Sequence, residues 1–170
     1  MENNNNKFND KFNKLYQIKE NDYFINLAID MSNNSDGGPF GAIITNENNE
    51  IIAYGNNKVT VNNDPTAHAE IIAIRNACDN IKNFNLKGCS IYTSCEPCPM
   101  CLSAIYWARI DKIYYANTRK DAADIGFSDD FIYNEFNKNL KDRSIPIQQI
   151  KNTNALDTFN NWKKNNNIMY

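Results

Sequence analysis

Three of the chain's five cysteines crowd into TSCEPCPMC (93–101), and its single histidine, His68, stands in DPTAHAE (64–70). Cys98 and Cys101 are three residues apart. On a helix that starts near Pro97, both thiols leave the first turns on one side. The positive end of a helix favours the thiolate form. His68 holds a similar place at the start of an earlier helix. Where two such helix starts meet, one imidazole and two thiolates form a borderline-soft donor set. That set suits zinc and leaves a fourth position for water. Glu70, two residues past His68, is placed to act without being a ligand. A carboxylate just outside a metal's donor set can take a proton from an attacking water and return it to a leaving nitrogen. A redox dithiol is the competing reading of Cys-x-x-Cys, but it gives His68 and Glu70 nothing to do. A purely structural zinc site is a second competitor. Cys95 is expected to be a packing residue at a strand end, because a third thiolate would close the metal to water. Cys78 and Cys89 read as small buried hydrophobes.

The elements that must position these groups follow from periodicity. NDYFINLAIDMSN (21–33) carries Phe24, Leu27, Ala28 and Met31 at helical spacing, and Asp-Gly-Gly-Pro ends the run. FGAII (40–44) and EIIAYG (50–55) flank the turn NENN and read as a β-hairpin. Helical period resumes in 64–81, with Thr66 as the expected N-cap. CSIYTS (89–94) is a strand, and PCPMCLSAIYWARI (97–110) is a helix with prolines at its entrance. KIYYAN (112–117) and IPIQQI (145–150) are further strand segments. DDFIYNEFNKNL (129–140) and 156–162 read as helices. Strands alternating with helices after a hairpin predict an α/β fold, a three-layer α/β/α sandwich around a mixed sheet of about five strands.

Composition narrows the class. A chain of 170 residues, 42% hydrophobic and 22% charged, can bury one globular core. A net charge of −2 argues against a dedicated nucleic-acid binder. No apolar run approaches the length of a membrane span, and MENNNNKFNDK lacks a signal core. The odd cysteine count argues against a disulfide framework, so a reducing cytoplasm is the expected location. Asparagine crowds surface-like positions. Residues 1–19 are expected to be a flexible extension, and 20–170 a single catalytic domain.

His-Ala-Glu at 68–70 with Pro-Cys-Pro-Met-Cys at 97–101 matches the H-x-E and P-C-x-x-C pattern shared by zinc deaminases. With these motifs the chain resembles the cytidine-deaminase-like superfamily. GGPFGAII (37–44), NDPTAHAE (63–70), YTSCEPCPMCLSAIYWAR (92–109), DAADIGF (121–127) and FIYNE (131–135) look like its bacterial guanine-deaminase branch. The resemblance runs from about residue 20 to Tyr170. It implies one Zn²⁺ per subunit held by His68, Cys98 and Cys101, with Glu70 as proton shuttle. It implies that Asn57 contacts a purine and that Asp129, by register rather than Asp130, accepts from a base N–H. Phe40 and Ala69 are expected to line the same pocket. It further implies a homodimer with exchanged C-terminal segments, in which Tyr170 reaches the partner's site. Ser103 and Ser128 depart from the branch, which commonly has glycine and aspartate there.

The expected reaction is hydrolytic deamination of a free purine base, guanine first, to xanthine and ammonia. The rivals are a guanosine or other nucleoside deaminase, a tRNA adenosine deaminase, and a non-catalytic zinc-stabilised interaction module. Lys163–Lys164 is the only short basic run in the tail, too little for a tRNA stem.

Overall fold

The computed structural model describes residues 20–165 and 168–169. The expected N-terminal extension and Tyr170 therefore lie outside the described residues. The chain divides into two compact units, the first closing at Asp129 and the second opening at Asp130.

In the first unit, a helix at 20–33 (α1) leads to β1 (Gly41–Thr45) and β2 (Ile51–Asn56). A single turn, α2 (Val59–Asn62), precedes α3 (Ala69–Ile81). Next come β3 (Ser90–Cys95), α4 (Pro99–Trp107), β4 (Lys112–Asn117) and α5 (Arg119–Asp124). The sheet order is β2-β1-β3-β4. β1 pairs antiparallel with β2 and β3, whereas β3 and β4 are parallel, so the sheet is mixed as expected. The hairpin register shifts between Ile44 and Thr45.

Alternation along the strands sends successive side chains to opposite faces. Ala42, Ile44 and Ile91 face one core with Ala69, Ala73 and Ala77 of α3 and Ile105 of α4. Ile43 and Tyr92 face the other way, against Phe24 and Ala28 of α1. The result is three layers, with α1 on one face of the sheet and α3 and α4 on the other. On the α1 side Tyr92 stacks on Tyr114 at 4.8 Å, and its hydroxyl donates to Asn21 Oδ1 at 2.9 Å. Burial pushes the Tyr92 phenol up to about 12.

The sheet has four strands among the described residues rather than five. IPIQQI (145–150) has the alternation of a strand but no pairing partner, and Ile145, Ile147 and Ile150 are exposed. Strand propensity measures fit to a pleated surface and does not supply that surface. The second unit holds α6 (Asp130–Phe136), a 3₁₀ turn (Leu140–Asp142) and α7 (Ala155–Lys164). The helix expected over 129–140 thus stops after Phe136. Glu135 there accepts from Ser144 N and Oγ at 2.7 and 2.8 Å, closing the loop between them. No helix among the described residues is long and apolar enough to cross a membrane.

Two approaches of helix to sheet depend on glycine. A Cβ on Gly41 would lie 2.3 Å from Ala28 O, and one on Gly55 would lie 2.3 Å from Ala69 O and 2.6 Å from Ala73 N. The start of α3 therefore rests on bare backbone at the end of β2. Along the outer edge of β2, Asn76 and Asn80 of α3 donate side-chain amides to Tyr54 O and Ile52 O at 2.9 and 2.8 Å.

Gly55→Ala should force α3 outward. The expected loss is about 1–3 kcal/mol, the range for overpacking, accompanied by reduced zinc content because α3 carries His68 at its start. Denaturant melts with elemental analysis check this, and an unchanged midpoint with full zinc would contradict the close-approach account.

Candidate metal centre

His68 and Cys98 are both helix N-caps. Each has extended backbone angles, φ −67°, ψ 157° for His68 and φ −64°, ψ 168° for Cys98. Their carbonyls accept the first helical bonds, from Ile72 N at 3.0 Å and Leu102 N at 2.8 Å. Thr66, the expected cap of α3, is engaged elsewhere. Its N–H and hydroxyl both donate to Asp64 Oδ1, at 2.8 and 2.7 Å, and the cap falls two residues later, at His68. Likewise Pro99 rather than Pro97 opens α4, at the position where a missing N–H costs nothing. Cys98 thus precedes the helix and Cys101 lies in its first turn.

These starts bring three donors together. His68 Nδ1 lies 3.6 Å from Cys98 Sγ and 3.5 Å from Cys101 Sγ. All three donor atoms fall within 4.8 Å of one another. Tetrahedral zinc, with bonds of about 2.3 Å to sulfur and about 2.0–2.1 Å to nitrogen, implies S···N separations of about 3.5 Å. The donor set and its spacing therefore fit zinc.

Protons are held unevenly in the cluster. The hydrogen bond from Cys101, followed by that from His68, pushes the Cys98 thiol down to about 4. Cys101 is raised by its bond to Cys98 and by burial. His68 is raised by its bond to Cys98. A thiolate flanked by proton donors is a ready cation site, and metal binding would release the remaining protons. Glu70 is buried on the first turn of α3, within the electrostatic reach of Cys98, His68 and Cys101. Burial raises its proton affinity above that of an ordinary glutamate.

Cys95 stands apart from the trio. It is buried, its thiol donates to Thr118 O at 3.6 Å, and burial pushes it up to about 11. Packing is its role, as the shell argument expected. Cys89 is buried and Cys78 half-buried, both against the α3 core.

The other expected site residues are placed as follows. Asn57 is buried just past β2. Its N–H donates to Phe40 O at 3.1 Å, and Lys58 N–H donates to Ala67 O at 2.9 Å, so backbone bonds hold it between Phe40 and the approach to His68. Asn57 Oδ1 accepts Val59 N–H at 3.1 Å. Phe40 is half-buried and meets the ring of Phe127 edge-on at 5.1 Å. Phe127 was not singled out by sequence, although it closes the DAADIGF motif. Asp129 follows it by two residues. Ala69 puts its methyl in the core, which leaves its backbone N–H, in the first turn of α3, as the group it could offer a ligand. Sequence reasoning also missed Ser35, which donates to Asn57 O.

A three-layer α/β/α fold with an imidazole and two thiols at paired helix starts, and a buried carboxylate beside them, defines a zinc-dependent hydrolytic centre. The model of the cytidine and deoxycytidylate deaminase zinc-binding region matches residues 18–117, and the chain belongs to that family. Among its relatives, guanine deaminase of Bacillus subtilis (strain 168) is 50% identical over 139 residues, 82% of this chain and 88% of the relative. The X-ray structure of guanine deaminase from Bacillus subtilis gives a TM-score of 0.82 at 46% identity, covering 88% of this chain and 97% of that one. A tRNA-specific adenosine deaminase of Haemophilus influenzae is 40% identical over 100 residues, 56% of this chain and 58% of the relative.

Cys98→Ala should deplete zinc, whereas Cys95→Ala should leave one zinc per chain. Elemental analysis of the purified proteins separates the two, and full zinc in the Cys98 variant would remove that thiol from the donor set.

Proposed function

We propose that the chain is a zinc-dependent guanine deaminase, producing xanthine and ammonia. The observation that carries this reading is the buried carboxyl of Glu70 beside the His68, Cys98 and Cys101 donors, in a chain similar over most of its length to a guanine deaminase. His68 Nδ1 and the two sulfurs are the residues that would hold the ion. Zinc there supplies the Lewis acidity that makes water nucleophilic near neutral pH.

Glu70 takes the proton from the attacking water. The water oxygen bonds to C2 of guanine as the C2=N3 π pair moves onto N3. Glu70 delivers the proton to the exocyclic nitrogen, and the returning pair breaks the exocyclic C2–N bond, releasing ammonia and leaving the 2-hydroxy tautomer of xanthine. A buried carboxyl with raised proton affinity suits both halves of this exchange. Asn57 spends its Oδ1 on Val59 N–H. Its Nδ2 makes no bond among the described residues, so the amide offers the base a donor and reads an acceptor on the purine. The Phe40–Phe127 pair supplies an aromatic wall, Ala69 N–H a second donor, and Asp129 an acceptor for a base N–H.

The same reading includes a homodimer with exchanged C-terminal segments. Two features support it. β4 pairs only with β3 among the described residues, leaving one sheet edge without a neighbour. The second unit exposes Phe131, Phe136, Ile145, Leu156 and Phe159, large apolar side chains that a partner surface would cover. In this reading residues 20–170 make one catalytic domain, with the C-terminal segments exchanged between the two copies. Five free thiols, two of them needed as ligands, support residence in a reducing cytoplasm.

An ammonia-release panel over guanine, guanosine, adenine, adenosine, cytosine and cytidine tests the substrate. Release from guanine is expected; silence there with release from a nucleoside would favour the nucleoside rival, and silence throughout the interaction module. Glu70→Gln should keep zinc and lose at least about 10²-fold in kcat; near-wild-type turnover would remove Glu70 from the shuttle. Deleting residues 168–170 should keep zinc while raising KM or lowering kcat, with mass measurement following the dimer. Wild-type kinetics from the zinc-loaded truncation would show that the tail does not close the site.

A further inference from the structure

The turn that precedes β1 is tied to Asn57 by one hydroxyl. Ser35 Oγ donates its proton to Asn57 O at 3.0 Å and accepts the N–H groups of Gly37 and Gly38, each at 3.4 Å. The turn is pressed flat against the asparagine. A Cβ on Gly37 would lie 2.5 Å from Asn57 O and 2.6 Å from Asn57 Oδ1. One residue further along each strand of chain, Lys58 Nζ and Asp36 Oδ2 form an ion pair at 3.0 Å, which straddles the same contact. Asp36 is largely exposed, so this pair adds little energy and mainly registers the two segments. The Ser35 hydroxyl is therefore the bond that fixes the turn against Asn57.

We propose that Ser35 is a positioning residue for Asn57, holding the amide whose Nδ2 meets the base. The proposal rests on the reading that Asn57 contacts the substrate. The physical argument is local. Val59 N–H holds the Asn57 side chain through Oδ1, and the bare backbone of the glycine turn lies close against that same oxygen and the Asn57 carbonyl. Without the serine hydroxyl, three groups lose their partner: Asn57 O and the N–H groups of Gly37 and Gly38. The turn is then free to lift, and the amide can leave the orientation that presents its donor. Because the metal donors stand at the starts of α3 and α4, the effect falls on base binding and not on zinc.

The test is a double-mutant cycle on the full-length zinc-loaded protein, comparing wild type, Ser35→Ala, Asn57→Ala and the double variant, with Ser35→Thr as the hydroxyl-retaining control. Ser35→Ala should raise KM for guanine roughly three- to tenfold, the range for one lost hydrogen bond, with unchanged zinc content and a smaller change in kcat. Ser35→Thr should recover most of the wild-type KM. In the Asn57→Ala background, Ser35→Ala should add nothing further, because the group it positions is gone. An unchanged KM in Ser35→Ala, or an effect that adds in full to that of Asn57→Ala, overturns the positioning role. A wild-type KM in Asn57→Ala refutes the reading of Asn57 itself, and the proposal with it. Should guanine prove not to be the substrate, the same cycle is scored on the panel member that releases ammonia. If none does, the proposal falls with the enzymatic reading.

Discussion

The approach of α3 to the end of β2 governs the first unit, because it decides where a histidine can stand. With no side chain at Gly55, the carbonyl of Ala69 and the N–H of Ala73 come within contact of strand backbone, and Ala69, Ala73 and Ala77 fill the narrow gap behind them. The start of the helix is thereby pinned to the sheet, and His68 is its cap. α4 is pinned differently, by Pro99 at its first position and by delivery from β3. Two rigid helix starts meeting at one point give the imidazole and thiols their spacing. A donor set built on caps is also polarised in advance, since each helix turns its positive end toward the thiolates.

The same placement sets the proton balance. Glu70 lies inside α3's first turn, where burial raises its affinity for a proton while the neighbouring cysteines and histidine trade theirs. A shuttle needs a carboxyl that neither gives up its proton at once nor keeps it indefinitely. Burial two residues past the cap gives Glu70 the raised proton affinity that the proposed shuttle role calls for, and exposure on the outer face of the helix would not.

Much of this could be read before any coordinates. The spacing of Cys98 and Cys101, the His-Ala-Glu triplet and the strand alternation gave the donor set and the three layers, because each is a local pattern. Boundaries were off where two local signals competed. Asp64 captured Thr66, so the cap passed to His68, and Pro99 outranked Pro97. α5 was overlooked because RKDAAD has no apolar stripe, although Thr118 and Asp121 form a capping box that announces it. The strand expected at 145–150 failed for a different reason: pairing depends on a neighbour, and its own residues do not specify one. The Ser35 contact with Asn57 spans 22 positions and joins two residues common at any surface turn. No periodicity or motif could have paired them.

The amides of Asn76 and Asn80 carry a consequence for where a further strand can join this sheet. Along β2 the even-numbered carbonyls point away from β1, and those of Ile52 and Tyr54 are already occupied by these side chains. A strand arriving from outside finds those two acceptors taken, whereas β4 offers a ladder with no neighbour among the described residues. In the language of polymers, a sheet with two pairing edges is a bifunctional monomer that grows without limit, and one with a single edge is monofunctional. Two asparagine side chains, laid one helical turn apart, cap the β2 edge in this way and leave β4 as the single open end of the sheet among the described residues.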